Sequence, residues 1–413
     1  MNSKLPHTWK ESKLDLLIDF YIGGDWGEES QVSSDYTAVR VIRATDFSNW
    51  EKTNGQNAQI RYLKTSSIEK RELKDNDLVL EISGGSPDQP VGRSVIIKLD
   101  KLDEQKYTCS NFFRLLRIND NEILPAYLNY YFKFLYETRI IEQYQSNSTN
   151  LRNLKFKQFL MQNVPYPKNI LEQQEIVQVL DTMSDIIRLR EECISHAQDL
   201  IPALFQEMFK PYANYAKTAL NNLFEFKSGG TPSKQVEKYF QGDIPWITTV
   251  ALNKLFIGKE DANELITEEA IQKSATKLIP ANSLLFGTRV GIGKLAINTV
   301  PMCTNQDIVA MIPFENNNLN LVYAYWYLKQ INNFFVANGR GATIQGITTH
   351  LVRSTEIILP PLKVQEQFAE KVREINSYIE EQQEELENAK QMFQSLLHHA
   401  FTGELTRRAY GEN

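Results

Sequence analysis

Residues 368–400 return an apolar side chain at alternating steps of four and three: Phe368, Val372, Ile375, Ile379, Gln382, Leu386, Ala389, Phe393, Leu396 and Ala400, with Gln382 alone polar. Such spacing keeps one stripe of a helix dry and demands a partner helix to cover it. The chain supplies one. Counting back 192 residues gives Ile176, Leu180, Met183, Ile187, Arg190, Ile194, Ala197, Ile201, Leu204 and Met208, with Arg190 as the polar member at the equivalent step. A polar side chain at one core position fixes pairing and register at some cost in stability, so Arg190 and Gln382 are expected to be register marks. The competing reading is two unrelated amphipathic surface helices, which the matched interruption disfavours. Pro202 lies inside the first seam and is expected to kink or break that helix near its end, because it removes a backbone donor and crowds the preceding turn.

A chain of 413 residues exceeds one ordinary core, so two or more domains are expected. No stretch is long and apolar enough to cross a bilayer, and the first residues lack an apolar signal core, which points to the cytoplasm and no membrane partner. Cys109, Cys193 and Cys303 are too few and scattered for a disulfide framework or a thiolate metal site. The net charge of −6 argues at first against nucleic acid. Between residues 366 and 390, however, eight glutamates face only Lys371, Arg373 and Lys390. Most of the surplus thus belongs to one helix, and the remainder is near neutral, leaving room for basic patches.

In chain order, residues 1–168 read as a mixed α/β domain, with strands near 37–42, 78–82, 94–99 and 112–118 and a helical segment over 125–144. Asn169 followed by Glu172 resembles a capping box that opens a long helix over 169–211, closed by Pro211. Residues 212–361 repeat the plan. Gly23-Gly24 corresponds to Gly229-Gly230, Cys109-Ser110-Asn111 to Cys303-Thr304-Asn305, and Tyr127 with Tyr131 to Tyr323 with Tyr327. A second long helix and tail occupy 362–413. The expected fold is an α/β (α+β) tandem duplication: two globular domains separated by two long antiparallel coiled-coil helices, the first about 57 Å long at 1.5 Å per residue.

Several fragments mimic catalytic motifs and fail on spacing. Asn163-Val164-Pro165-Tyr166 lacks the first proline of the amino-methyltransferase Asn-Pro-Pro-Tyr motif, and no glycine-rich cofactor turn accompanies it. Gly291-Ile292-Gly293-Lys294 has Thr288 where the first glycine of a phosphate loop belongs and Leu295 where a magnesium-binding hydroxyl belongs. His398 and His399 are adjacent and point to different helix faces. The chain does not read as an enzyme, and no metal site is expected.

Donor-rich loops stand out instead. Lys227, Ser228, Gly229, Thr231, Ser233 and Lys234 combine open backbone, hydroxyls and cations, the groups that hold phosphates, and Thr248 and Thr249 add hydroxyls. Arg289 follows a strand, where a guanidinium suits guanine in the major groove, with Lys294 nearby. Arg340, Thr343 and Gln345 form another donor set. In the first half, Arg40 and Arg43 flank a strand end, and Ser83, Gly84, Gly85 and Arg93 occupy the place equivalent to Arg289 and Lys294. The competing reading makes these solvated loops and surface ion pairs.

The pattern resembles the specificity subunits of type I restriction-modification systems over essentially the whole chain. The resemblance is carried by residues 226–233 (FKSGGTPS), 244–247 (IPWI), 284–294 (LLFGTRVGIGK) and Asn305-Gln306-Asp307, by the helix openings at 171–177 and 359–365, and by the ending at 400–405. The first domain departs from it: Gly23-Gly24-Asp25-Trp26 replaces the Gly-Gly-Thr-Pro form. The resemblance implies two target-recognition domains, each reading half of a bipartite site in double-stranded DNA. It also implies helices that dock two methyltransferase subunits, with restriction subunits joining outside. S-adenosylmethionine, ATP and Mg2+ would belong to those partners, and this chain would hold no cofactor. A coiled-coil scaffold for protein partners is the alternative, and a stand-alone adenine methyltransferase a more remote one.

Overall fold

The computed structural model describes residues 5–48, 50–86, 88–103, 105–146, 151–315, 318–341 and 345–405. They form two compact units, Met1–Glu192 with Gln383–Asn413, and Cys193–Gln382. Each unit therefore contains part of both long helices, Ile170–Phe209 and Leu362–Thr402.

In the first unit a four-stranded antiparallel sheet runs in the order Ile18–Gly23, Phe113–Ile118, Leu78–Glu81, Ser94–Ile96. Every residue of Leu78–Glu81 is buried, as its near-continuous apolar run requires of a central strand. A second sheet orders Gln59–Lys64, Tyr36–Ile42 and Tyr107–Cys109, the last pair parallel. Trp9–Lys13 pairs with Asn163–Pro167, so the stretch resembling a methyltransferase motif is a strand leading toward the helix. The helix Pro125–Glu137 buries Tyr127, Leu128, Tyr131, Phe132 and Leu135. It is shorter than the sequence suggested: the Thr138 hydroxyl donates to the Phe134 carbonyl at 2.6 Å, Arg139 turns left-handed at φ 60°, and a 3-10 turn follows over Ile140–Tyr144.

The second unit repeats this topology. Its main sheet orders Phe224–Ser228, Ile308–Pro313, Leu284–Gly287, Leu295–Asn298 and Phe256–Ile257. Its smaller sheet orders Glu264–Ile266, Ile244–Ile247 and Cys303–Thr304, again with one parallel pair, and Lys217–Ala219 pairs with Glu356–Ile358. Hydrogen bonding corrects the correspondence by one residue. Ser110 N–H donates to Ile42 and Asn305 N–H to Ile247, while Gly24 donates to Phe113 and Gly229 to Ile308. Ser110 thus matches Asn305, and Gly24 matches Gly229. The loops differ in length between the halves, so a sequence offset carried from one motif slips at the next.

Both units bury the helix seams. In the first, Ile176, Leu180 and Met183 share a core with Ala389, Phe393, Leu397, Ala400 and Phe401. Arg190 donates to Glu385, and Lys390 approaches Glu191 at 3.3 Å. In the second, Ile201, Phe205 and Phe209 share a core with Phe368, Ala369 and Val372, and the Phe205 and Phe209 rings lie 5.4 and 5.3 Å from Phe368. The pairing is antiparallel: the start of the first helix meets the end of the second, and the reverse. Ile194, Ile379 and Leu386 are buried, whereas Ile187, Arg190, Ala197, Leu204, Ile375, Gln382 and Leu396 are half-buried. Phe205, Phe209, Leu397 and Phe401 lie one step beyond the seven-residue pattern. Phe205 and Phe209 also meet Tyr323, and Phe401 meets Tyr127, so near the domain the dry stripe widens toward the globular core.

Pro202 does not break its helix, which continues to Phe209. One missing backbone donor is outweighed where Ile201, Phe205 and Phe209 are all buried, each such side chain contributing about 1.5–3 kcal/mol. Asn169 does cap the first helix, accepting from Leu171 N–H at 3.0 Å, while the buried Glu172 accepts the Trp9 indole N–H at 2.9 Å.

One buried device recurs at both helix starts. Gln173 accepts from Leu124 N–H at 2.8 Å and donates to the carbonyls of Pro167 and Glu122. Gln365 accepts from Asn320 N–H at 2.9 Å and donates to the carbonyls of Pro360 and Asn318. Both glutamines are completely buried. Gln365→Leu keeps much of the volume and strands these backbone groups, so we expect a loss of about 3 kcal/mol, read from the urea midpoint. An unchanged midpoint would mean the clamp contributes nothing to stability.

Candidate nucleic-acid interface

In the second unit four loops meet at the strand ends. Strand Phe224–Ser228 runs into Gly229, where a Cβ would lie 2.0 Å from the Asn305 carbonyl oxygen, so only glycine allows this approach. Trp246 fixes the next residue by donating its indole N–H to the Gly230 carbonyl at 3.0 Å. The Thr231 hydroxyl then donates to the Gln306 side-chain oxygen at 2.5 Å. Asn305 and Asp307 brace each other through Asp307 N–H to Asn305 Oδ1 and Asn305 Nδ2 to Asp307 Oδ2, both 3.2 Å. Thr288 donates its N–H to the Asp307 carbonyl at 2.8 Å, and Ile347 N–H donates to Thr288 at 2.8 Å. Arg289 Nε lies 3.7 Å from Asp307 Oδ1 with half its side chain in solvent. Arg340 and Gly346 exchange both backbone hydrogen bonds.

This network gathers Ser228, Thr231, Ser233, Lys234, Arg289, Lys294, Arg340 and Gln345 as exposed groups around one edge. Gln306, which motif reading set beside its neighbours without a role, joins them as an exposed amide. Lys234 lies 3.3 Å from Glu264 and over the rings of Phe240 and Trp246. Gly291 and Gly293 take φ of +83° and +76°, and Lys294 N–H closes the turn onto the Gly291 carbonyl, making residues 291–294 the tip between two strands. Lys227 faces Glu225 at 3.6 Å. Thr248 is half-buried and bonded to Asn263, and Thr249 is buried, so its hydroxyl has no surface to offer. Thr343 lies outside the described residues.

The first unit is built differently at the matched places. Asp25 stands where Gly230 stands, and its carboxylate accepts from Gly27 N–H at 3.1 Å and from the Ser67 hydroxyl at 2.6 Å. Ser83 and Asn153 side chains are 2.5 Å apart, and Gly84 takes φ +97°. Gly85 is buried, packed where a Cβ would lie 2.6 Å from the Gln89 carbonyl oxygen. The three arginines expected to contact DNA each pair with an acid of the same unit. Arg40 bonds Asp103 at 2.9 Å and the Ala58 carbonyl at 3.0 Å. Arg43 bonds Asp46 and Gln59. Arg93 makes two bonds to buried Glu81, at 2.9 and 2.6 Å, which hold its guanidinium above its ordinary pKa. Asp46 lies three residues from Arg43, but the sequence gave no hint of the acids sixty-three and twelve residues away that pair with Arg40 and Arg93.

A cavity of about 890 Å3 lies in the first unit and mixes Lys52, Lys98, Lys101 and Lys133 with Glu137, Asp181, Asp185 and Glu191. Burial pushes the thiol of Cys109 up to about 12 and that of Cys303 up to about 11, so neither supplies a thiolate near neutral pH. Among the described residues no three His, Cys, Asp or Glu converge as metal ligands, and no helix is long and apolar enough to cross a membrane.

A family model for the type I restriction modification DNA specificity domain matches residues 6–196 and again 212–388. The Escherichia coli type I restriction enzyme EcoR124I/EcoR124II specificity subunit is 29% identical over 215 residues, covering 49% of this chain and 51% of the relative. In that comparison the chain spans about half the relative's length. A putative type I restriction enzyme MjaX specificity subunit from Methanocaldococcus jannaschii is 23% identical over 415 residues, covering 95% and 93% of the two chains. The crystal structure of a type I restriction-modification system S subunit from M. genitalium shares the fold, with a TM-score of 0.56 at 15% identity over 97% of each chain. With the specificity-domain model matching both halves of a duplicated fold, the chain belongs to the type I restriction modification DNA specificity domain family.

Proposed function

We propose that this chain is the DNA-recognition subunit of a type I restriction-modification complex and is itself non-catalytic. In this reading residues 1–168 and 212–361 are target-recognition domains, each reading one half of a bipartite duplex site. Residues 169–211 and 362–413 form the helix pair that docks two methyltransferase subunits, and restriction subunits join that assembly. Methylation and cleavage, with S-adenosylmethionine, ATP and Mg2+, belong to those partners in the cytoplasm. The observation that carries the reading is the convergence of four donor-rich loops on one edge of the second unit, in a chain of this family.

Within that edge we assign Ser228, Thr231, Ser233, Lys234, Lys294 and Arg340 to phosphates, and Arg289, Gln306 and Gln345 to base edges. Arg40, Arg43 and Arg93 shape the first domain through their acid partners. The test is retention of the full chain on duplex DNA at rising salt. The three cations among these groups, Lys234, Lys294 and Arg340, predict at least about a fortyfold loss of affinity between about 50 and 200 mM salt. Binding that ignores salt, or no binding to any duplex, overturns the proposal and favours a protein scaffold.

A further inference from the structure

One exposed position changes chemistry between the two units. Ile82 N–H donates to the Phe112 carbonyl at 2.8 Å, as Thr288 N–H donates to the Asp307 carbonyl at 2.8 Å, so Phe112 stands where the second unit has Asp307. The next residues then match as well, Ser83 in the place of Arg289. An acid with its arginine in one unit becomes a bare ring beside a hydroxyl in the other.

Phe112 is 49% exposed, although its neighbour Phe113 is completely buried. Its backbone is held on both sides. Phe113 N–H donates to Ser110 at 3.0 Å, Gly24 N–H donates to Phe113 at 3.0 Å, and Ile82 grips Phe112 itself. The left-handed Gly84 passes beneath, where a Cβ would lie 3.8 Å from the ring. The ring is therefore presented from a fixed frame and kept wet, forgoing burial that a core position would give it. Beside it lies the hydrogen-bonded pair Ser83 and Asn153.

We infer that Phe112 is a specificity-determining residue of the first unit, packing its ring on the 5-methyl group of a thymine in the major groove. The inference rests on the DNA-recognition reading above. Phosphates and the hydrogen-bonding edges of guanine, adenine and cytosine offer nothing to a ring without a donor or acceptor. Of the four unmodified bases, thymine alone presents a methyl group there. The second unit, with Arg289 and Asp307 at the matched positions, reads by hydrogen bonding, so the two half-sites are recognised by different chemistry.

The probe is thymine against uracil, which differ by that methyl group. Selection of the full chain on a random duplex pool yields its motif. Motif duplexes are then made with each thymine replaced in turn by uracil. One uracil, in the half-site assigned to residues 1–168 by exchanging that domain, is expected to weaken wild-type binding about fourfold, the worth of one buried methyl group. Phe112→Ala should bind thymine and uracil duplexes alike, and Phe112→Leu should retain part of the preference, which guards against an alanine variant that fails to fold. If no uracil matters, if Phe112→Ala keeps the wild-type preference, or if its only effect is on DNA bending, the inference is overturned. A chain that enriches no motif overturns the DNA-recognition reading itself.

Discussion

Arg93→Ala is expected to destabilise the first unit by about 3–5 kcal/mol, a fall of roughly 10 °C in thermal midpoint for a unit of this size. The reason is Glu81, whose side chain is only 3% exposed and whose two carboxylate oxygens take both bonds from the guanidinium. Removing the cation leaves a charge in the sheet with nothing to pair with. Arg93 also packs over the Phe47 ring at 5.6 Å, so its loss opens a gap as well. Adding Glu81→Leu should recover most of the stability, because an apolar pair replaces an ionic one at little net cost. Calorimetry on the two variants decides the matter. Should Arg93→Ala keep the wild-type midpoint and lose DNA affinity instead, the arginine is a ligand contact, as its sequence position suggested.

Arg289→Ala should act on recognition and leave folding alone. The side chain is half exposed, and its approach to Asp307 at 3.7 Å is too long and too wet to contribute much stability. On the proposed assignment of Arg289 to a guanine edge, its loss is expected to cost about tenfold to hundredfold in affinity and to relax the requirement at one base pair. Arg289→Lys keeps the charge and loses the two-pronged geometry, so it should relax the same position while restoring part of the overall affinity. A methylome from cells carrying each variant reads the outcome directly. Uniform weakening across all sites, with the motif unchanged, would place Arg289 on a phosphate.

The long helices and their partnership were legible because a seven-residue rhythm is a local signal, and its repetition at a fixed offset leaves little choice of partner. The sheets were legible in outline for the same reason: Leu78–Glu81 and Leu284–Gly287 are short apolar runs bounded by turns. What the sequence could not supply is long-range pairing of polar groups. Arg93, just before one strand, and Glu81, at the end of another, are twelve residues apart, Arg40 and Asp103 sixty-three apart, and nothing in either neighbourhood announces the bond. Phe112 was read as the start of a strand, yet it is a surface ring whose equivalence to Asp307 emerges only from backbone hydrogen bonds. Pro202 was judged by its local cost, and packing overrode that cost.

The paired glutamine clamps carry a mechanical implication. Gln173 bolts the first turn of one long helix both to its domain's exit at Pro167 and to the residues that lead into the helix Pro125–Glu137, and Gln365 does the same for the other through Pro360 and the residues before Leu321–Gln330. Neither helix can roll about its axis at that end without tearing several buried hydrogen bonds. A protein gripping the shaft would therefore apply torque to the sheet bolted onto it, and a strained sheet would push back on whatever holds the shaft.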